Sequence, residues 1–193
     1  MREFPKLPPK NLPVETFLSR FPELNNAGLK DWSYWTNYSR QNPKGFWDSV
    51  VAPIVGVYTQ LNTSYAASLK KTLYRTGVLP LLKPNRILNQ LAAKHAVDIG
   101  AKGSLSHSSS NGNSFQARVF SGGIAKCAAE NLNLGVANPV FSLVLLYLDE
   151  GVPDLGHRNN LLNPYVEMGV GKTTTKKGQE LVVQDFACNQ SER

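Results

Sequence analysis

Between Pro139 and Gly151 the chain carries Val140, Phe141, Leu143, Val144, Leu145, Leu146 and Leu148, which at helical spacing point to nearly every side. Pro139 suits the first position of a helix, where its missing N–H costs nothing, and Gly151-Val152-Pro153 ends the run. A helix without a polar face must be covered all round. It is also far shorter than the roughly 20 apolar residues that span a bilayer, and the other strong run, Val50 to Val57, is interrupted by Pro53. No membrane span is expected. The segment instead predicts a helix packed between layers or on a sheet, in a chain whose 193 residues suffice for one substantial core.

The sheet is supplied late in the chain. Tyr165 to Gly171 and Leu181 to Ala187 read as two strands joined by a turn of Lys, Thr and Gly, which predicts an antiparallel hairpin. Upstream, Tyr65, Leu69 and Leu73 recur every four residues within a helix from Asn62 to Thr76 that Gly77 stops. A second helix is expected to start near Pro84. Ile87, Leu88, Leu91, Ala92, His95, Ala96 and Ile99 form its apolar face, ahead of Gly100 and Gly103. Ser114 caps a short helix to about Ser121, ended by Gly122-Gly123, and an element from near Ile124 carries Glu130. Helices followed by strands, without βαβ alternation, predict an α+β fold rather than a doubly wound nucleotide-binding sheet.

Residues 1–50 read as an extension before a main domain of residues 51–193. Pro5, Pro8, Pro9, Pro13, Pro22 and Pro43 are expected to punctuate any regular element there. Phe17, Phe21, Trp32, Tyr34, Trp35, Tyr38, Phe46 and Trp47 are expected to anchor the extension against the body, the alternative being an exposed aromatic surface for sugar or partner.

With 21 Lys and Arg against 14 Asp and Glu, the formal charge is +7, yet the bases are scattered. Nucleic-acid binding is not expected, because it needs a basic stripe or an aromatic-interleaved platform. Cys127 and Cys188 allow one intramolecular bridge or two buried thiols. The start, Met1 to Pro5, lacks the apolar core of a signal peptide, so an exported form is expected to have lost its leader.

No HExxH, CxxC or GxSxG pattern is present, and Gly171-Lys172-Thr173 lacks the earlier glycine of a phosphate loop, since position 166 is Val. The chemistry rests on three polar groups: His107 in a Ser- and Asn-rich loop, Glu130 behind an Ala pair, and His157 after Gly156. Two imidazoles and a carboxylate can hold Zn²⁺ with a water, or let a glutamate serve as general base. His95, within an apolar helical face, reads as a hydrogen-bonded structural histidine. Arg158 is expected to fix a carboxylate, Asn159 to tie down its turn, and Leu161-Leu162 to anchor the segment in the core.

The segments Leu91-Ala92-Ala93-Lys94-His95-Ala96, Leu105-Ser106-His107-Ser108, Ala129-Glu130-Asn131-Leu132 and Gly156-His157-Arg158-Asn159-Asn160-Leu161-Leu162-Asn163-Pro164 resemble, in order, the motifs of bacterial proteins of the CAP superfamily, the cysteine-rich secretory, antigen 5 and pathogenesis-related class 1 proteins. Met168-Gly169-Val170-Gly171 and Asp185-Phe186-Ala187 are similar to that superfamily's last two strands. The resemblance covers roughly residues 60 to 188, with Ala129 replacing the glycine of the family's GEN element.

The resemblance implies a three-layer α/β/α sandwich with a mostly antiparallel central sheet, in a secreted or extracytoplasmic protein. It implies a cleft with two histidines and two acids: His107, His157, Glu130 and, in the fourth place, Asp149, with Glu150 as fallback. It further implies a ligand-binding protein, for a small molecule, lipid or protein, whose His107 and His157 hold Zn²⁺ or another divalent cation. The alternative is a metal-dependent hydrolase or protease-like enzyme with Glu130 as general base. His107, His157 and Glu130 are expected to share one cleft mouth, with His95 on the core side.

Overall fold

The computed structural model describes residues 3–24, 26–124 and 127–188. The early prolines start helices rather than break them. Pro13 lies in the first turn of α1 (Leu12–Leu18) behind the side-chain cap of Asn11, and Pro43 opens α3 (Pro43–Phe46), capped by Asn42. Between them runs α2 (Ala27–Gln41), fifteen residues without a proline. Helical backbone continues through a wide turn at Trp47–Val51 into α4 (Ala52–Val57). Trp32, Tyr34, Trp35, Tyr38, Phe46 and Trp47 are all buried.

Next come α5 (Ser64–Arg75) and the two-residue strand β1 (Lys83–Pro84). Pro84 therefore belongs to the sheet. The following helix, α6 (Arg86–Lys102), is capped instead by Asn85, whose side chain accepts from the amides of Ile87 and Leu88, and it ends at Gly103 in the left-handed conformation. The chain continues through α7 (Phe115–Ser121), β2 (Ala128–Leu134), α8 (Pro139–Leu148), α9 (Gly156–Leu162), β3 (Glu167–Thr174) and β4 (Glu180–Ala187).

The four strands form one sheet in the order β1-β3-β4-β2, parallel between β1 and β3 and antiparallel elsewhere. One face bears α6, through Ala92, Ala96 and Ile99 on Leu132, Leu181 and Val183. On the opposite face Met168, Val170, Val182 and Phe186 join one cluster with α8 and the aromatic residues of α2 and α3. The result is the expected α+β, three-layer α/β/α sandwich, with α8 as the helix covered on nearly all sides.

Tight seating of α6 on β3 depends on two glycines. A Cβ on Gly169 would collide with the backbone of Leu88 and Asn89, and one on Gly171 with that of Ala92 and Ala93. Residues 169 and 171 share a strand face while 88 and 92 lie one helical turn apart, so the two periodicities meet along one seam.

Candidate functional site

The register of β2 with β4 sets Glu130 opposite Asp185, both buried. Burial, followed by the negative charge of Glu130, pushes the Asp185 carboxyl well above the ordinary carboxylate range. In its protonated form it donates to Glu130, while Asp185 Oδ1 lacks a partner among the described residues. Two other groups use the oxygens of Glu130. Nη2 of Arg118, from α7, donates to Oε2 at 2.5 Å, and Oε1 lies 2.8 Å from Nδ1 of His107. The same guanidinium donates from Nη1 to the His107 carbonyl at 2.6 Å, so one side chain positions both members of the imidazole–carboxylate pair.

Because a carboxylate only accepts, His107 donates from Nδ1, and in its neutral form the ring presents an Nε2 lone pair on a side chain 57% exposed. His95 is buried beside this pair, its Nε2 2.8 Å from the Ser106 carbonyl and 3.9 Å from Oε2 of Glu130. The carbonyl fixes the tautomer, so Nε2 donates and Nδ1 accepts from the Ser109 hydroxyl at 3.4 Å. Burial is the largest influence on its titration and lowers its pKa, against the pull of Glu130. His95 is thus a core histidine, as expected, but it packs against the carboxylate that holds His107.

The second pair is built at the end of α8. Asp149, in the left-handed conformation that terminates this helix, sends Oδ1 to Nδ1 of His157 at 2.7 Å. Its Oδ2 accepts from the amides of His157 at 2.9 Å and Arg158 at 3.1 Å. Leu155, which precedes α9, has no capping side chain, so Asp149 caps that helix from a distance while orienting its histidine. Glu150, the fallback acid, is exposed.

Arg158 departs from expectation. Its guanidinium donates to the carbonyls of Tyr147, Leu148 and Tyr65 and to the Ser68 hydroxyl rather than to a carboxylate. It ties the buried carbonyls at the end of α8 to α5. Asn159 donates to the Asp154 carbonyl, and Leu161 is fully buried.

Glu130 and its neighbour Asn131 point to opposite faces of β2. Glu130 meets α6 and α7, whereas Asn131 donates to the His157 carbonyl and accepts from Asn160. The two pairs therefore approach β2 from its two faces. A cleft of about 450 Å³ opens at this strand, lined by His107, Ser114, Phe115, Ala128, Glu130 and Asn160 among others. Asn160 is one helical turn beyond His157, which is not among the described lining residues. Among the described residues no three His, Cys, Asp or Glu side chains gather as a metal-binding group. Cys127 and Cys188, left open by the sequence, are joined in a disulfide at the start of β2 and the end of β4.

The model of the CAP family, described as the cysteine-rich secretory protein family, matches residues 75–186, more than half of the chain. The chain belongs to the CAP family. The matched part of this CAP domain contains His107, Glu130, Asp149 and His157, and begins after the helices of the first fifty residues. No curated protein matches it. Similar solved structures include the following two. An extracellular protein containing a SCP domain from Bacillus anthracis str. Ames is 24% identical over 64% of this chain, with a TM-score of 0.48. This chain spans 38% of that protein. An outer surface protein from Borrelia burgdorferi is 20% identical over 68% of this chain and 89% of its own, with a TM-score of 0.49. No helix among the described residues of the CAP domain is long and apolar enough to cross a membrane.

Proposed function

We propose that this CAP domain is a secreted ligand-binding module, and that a divalent cation such as Zn²⁺ binds across the outer edge of β2, between the two pairs, through Nε2 of His107 and His157. The carrying observation is the matched anchoring of the imidazoles. Each places Nδ1 against a buried carboxylate, Glu130 for His107 and Asp149 for His157. A carboxylate behind the ring fixes the tautomer and orients Nε2, the arrangement that supports histidine ligands of metals. A cation held there would supply Lewis acidity to a ligand oxygen, with water or ligand completing its coordination. Secretion is supported by the disulfide, which persists in oxidising surroundings. A hydrolase with Glu130 as base is less well supported. Its oxygens are engaged by His107 and Arg118, which suits an anchoring carboxylate better than a free proton acceptor.

Titration of metal-free protein with Zn²⁺ by calorimetry tests this reading. His107→Ala and His157→Ala are each expected to weaken binding at least tenfold, on the order of the loss seen even for residues that merely support a ligand. Equal affinity in both variants and the parent would reject the cation site.

A further inference from the structure

Strand β2 lies at the end of the sheet, with β4 on one side only. Its pairing shows which backbone groups are spent. Cys188 donates to the Cys127 carbonyl and Gly135 to that of Glu180, so residues 127, 135 and the odd positions between them exchange hydrogen bonds with β4. The amides and carbonyls of Ala128 and Glu130 consequently point away from β4, towards the outer edge. Asn160 reaches the Glu130 carbonyl from that side at 3.3 Å. No described residue bonds the outward amide or carbonyl of Ala128, or the amide of Glu130. Both residues line the His107 cleft.

Next to that cleft is a second one of about 480 Å³, with walls that include Phe115, Val119, Phe120, Ile124 and Ala128. The two clefts share Phe115, Gln116 and Ala128, and they differ in chemistry. The first offers His107 Nε2 and Ser114; the second is mainly hydrocarbon, with Phe120 74% exposed. An edge where the described residues leave three of the four outward donors and acceptors of Ala128 and Glu130 unspent, flanked by one polar and one apolar recess, has the form of a site for an added strand.

We infer that the ligand of this cleft is an extended polypeptide that pairs with the outer edge of β2 at Ala128 and Glu130. One of its side chains enters the His107 cleft and the side chain two residues away enters the apolar one. Residues i and i+2 of a strand point to one face and lie about 7 Å apart, which suits two recesses meeting at Ala128. When no cation sits on His107, its Nε2 lone pair accepts from the first side chain, so a hydroxyl, amide or ammonium group belongs there and an aliphatic or aromatic group belongs in the second. This inference rests on the reading of the cleft as a ligand site and names the class of ligand.

The test screens an immobilised library of end-blocked ten-residue peptides against the intact protein, then resynthesises the tightest binder with single backbone N-methyl groups. Methylation at alternate residues is expected to weaken binding about tenfold each, the worth of one hydrogen bond and its clash, with the intervening positions insensitive. Bound peptide should slow hydrogen exchange at the amides of Ala128 and Glu130 and leave those of Ala129 and Asn131, already paired with β4, unchanged. In Ala128→Pro the outward donor is removed without touching the ladder, a substitution edge strands tolerate, and affinity should fall at least tenfold. If that variant does not fold, the methylated peptides still decide. Absence of any binder, or binding insensitive to methylation, overturns strand addition. Persistence of His107-dependent Zn²⁺ binding in that case leaves the ligand cleft standing, whereas loss of both removes the cleft reading too.

Discussion

His95 and Asp185 flank Glu130 on one side of the sheet, and they pull stability in opposite directions with pH. His95 has its pKa lowered by burial, so it contributes stability present above about 6.5, the unfolded value, and lost as pH falls towards its folded pKa. Asp185 has its pKa raised by burial, so its contribution is full below about 3.9 and is lost as pH rises through its folded pKa. Urea unfolding across this range should therefore show a shallower acid-side fall for His95→Gln and a smaller loss on raising pH for Asp185→Asn. Profiles parallel to the parent in both variants would contradict these assignments. The members of this polar group were legible in the sequence to different degrees. His107 and Glu130 stand out because their local surroundings contrast with their chemistry. His95 could be placed in the core from its helical spacing, but not beside Glu130, since that neighbour is 35 positions away by the numbering. Arg118 gave no local sign at all. Asp185 did give one, because Gln184-Asp185 interrupts an otherwise apolar strand and both residues are buried.

The seam between α6 and β3 shows how an element is held at a chosen depth. Gly169 and Gly171 let the helix backbone descend onto the strand, and the descent brings His95 to the sheet carboxylates. Gly171→Ala should cost about 1–3 kcal/mol, the usual penalty of overpacking, because the atoms it meets belong to backbone that cannot rotate away. Gly100→Ala should cost less, since its obstacle is the Thr173 side chain. Chemical denaturation of the two variants checks the order; equal losses would argue against a backbone-limited seam. Most helices were legible from spacing and caps. The N-terminal ones were not, because proline signals either a break or a first turn, and only the packing of α2 decides which. Likewise β1 is too short for any periodicity and exists because β3 offers it an edge.

Taken whole, the molecule buries residues from Val14 to Phe186 in a single cluster, so the aromatic helices of residues 1–50 act as one wall of the sandwich. Removal of residues 1–50 should expose Tyr147, Val144 and Leu143 and abolish cooperative thermal unfolding, followed by circular dichroism. A truncated protein melting sharply near the parent temperature would instead make that region a separable extension. The strand order carries one more implication, for the time at which the sheet can close. Strand β4, the last in the described chain, is an interior strand between β3 and β2. During synthesis β2 must wait for a partner that emerges about 50 residues later by the numbering, and at translation rates of roughly 5–20 residues per second that is a delay of seconds. Closure of the Cys127–Cys188 link waits for the same event. A sheet whose interior strand is the last of the described strands cannot close until that strand has emerged, so pairing of β2 is a late step in the folding of the nascent chain.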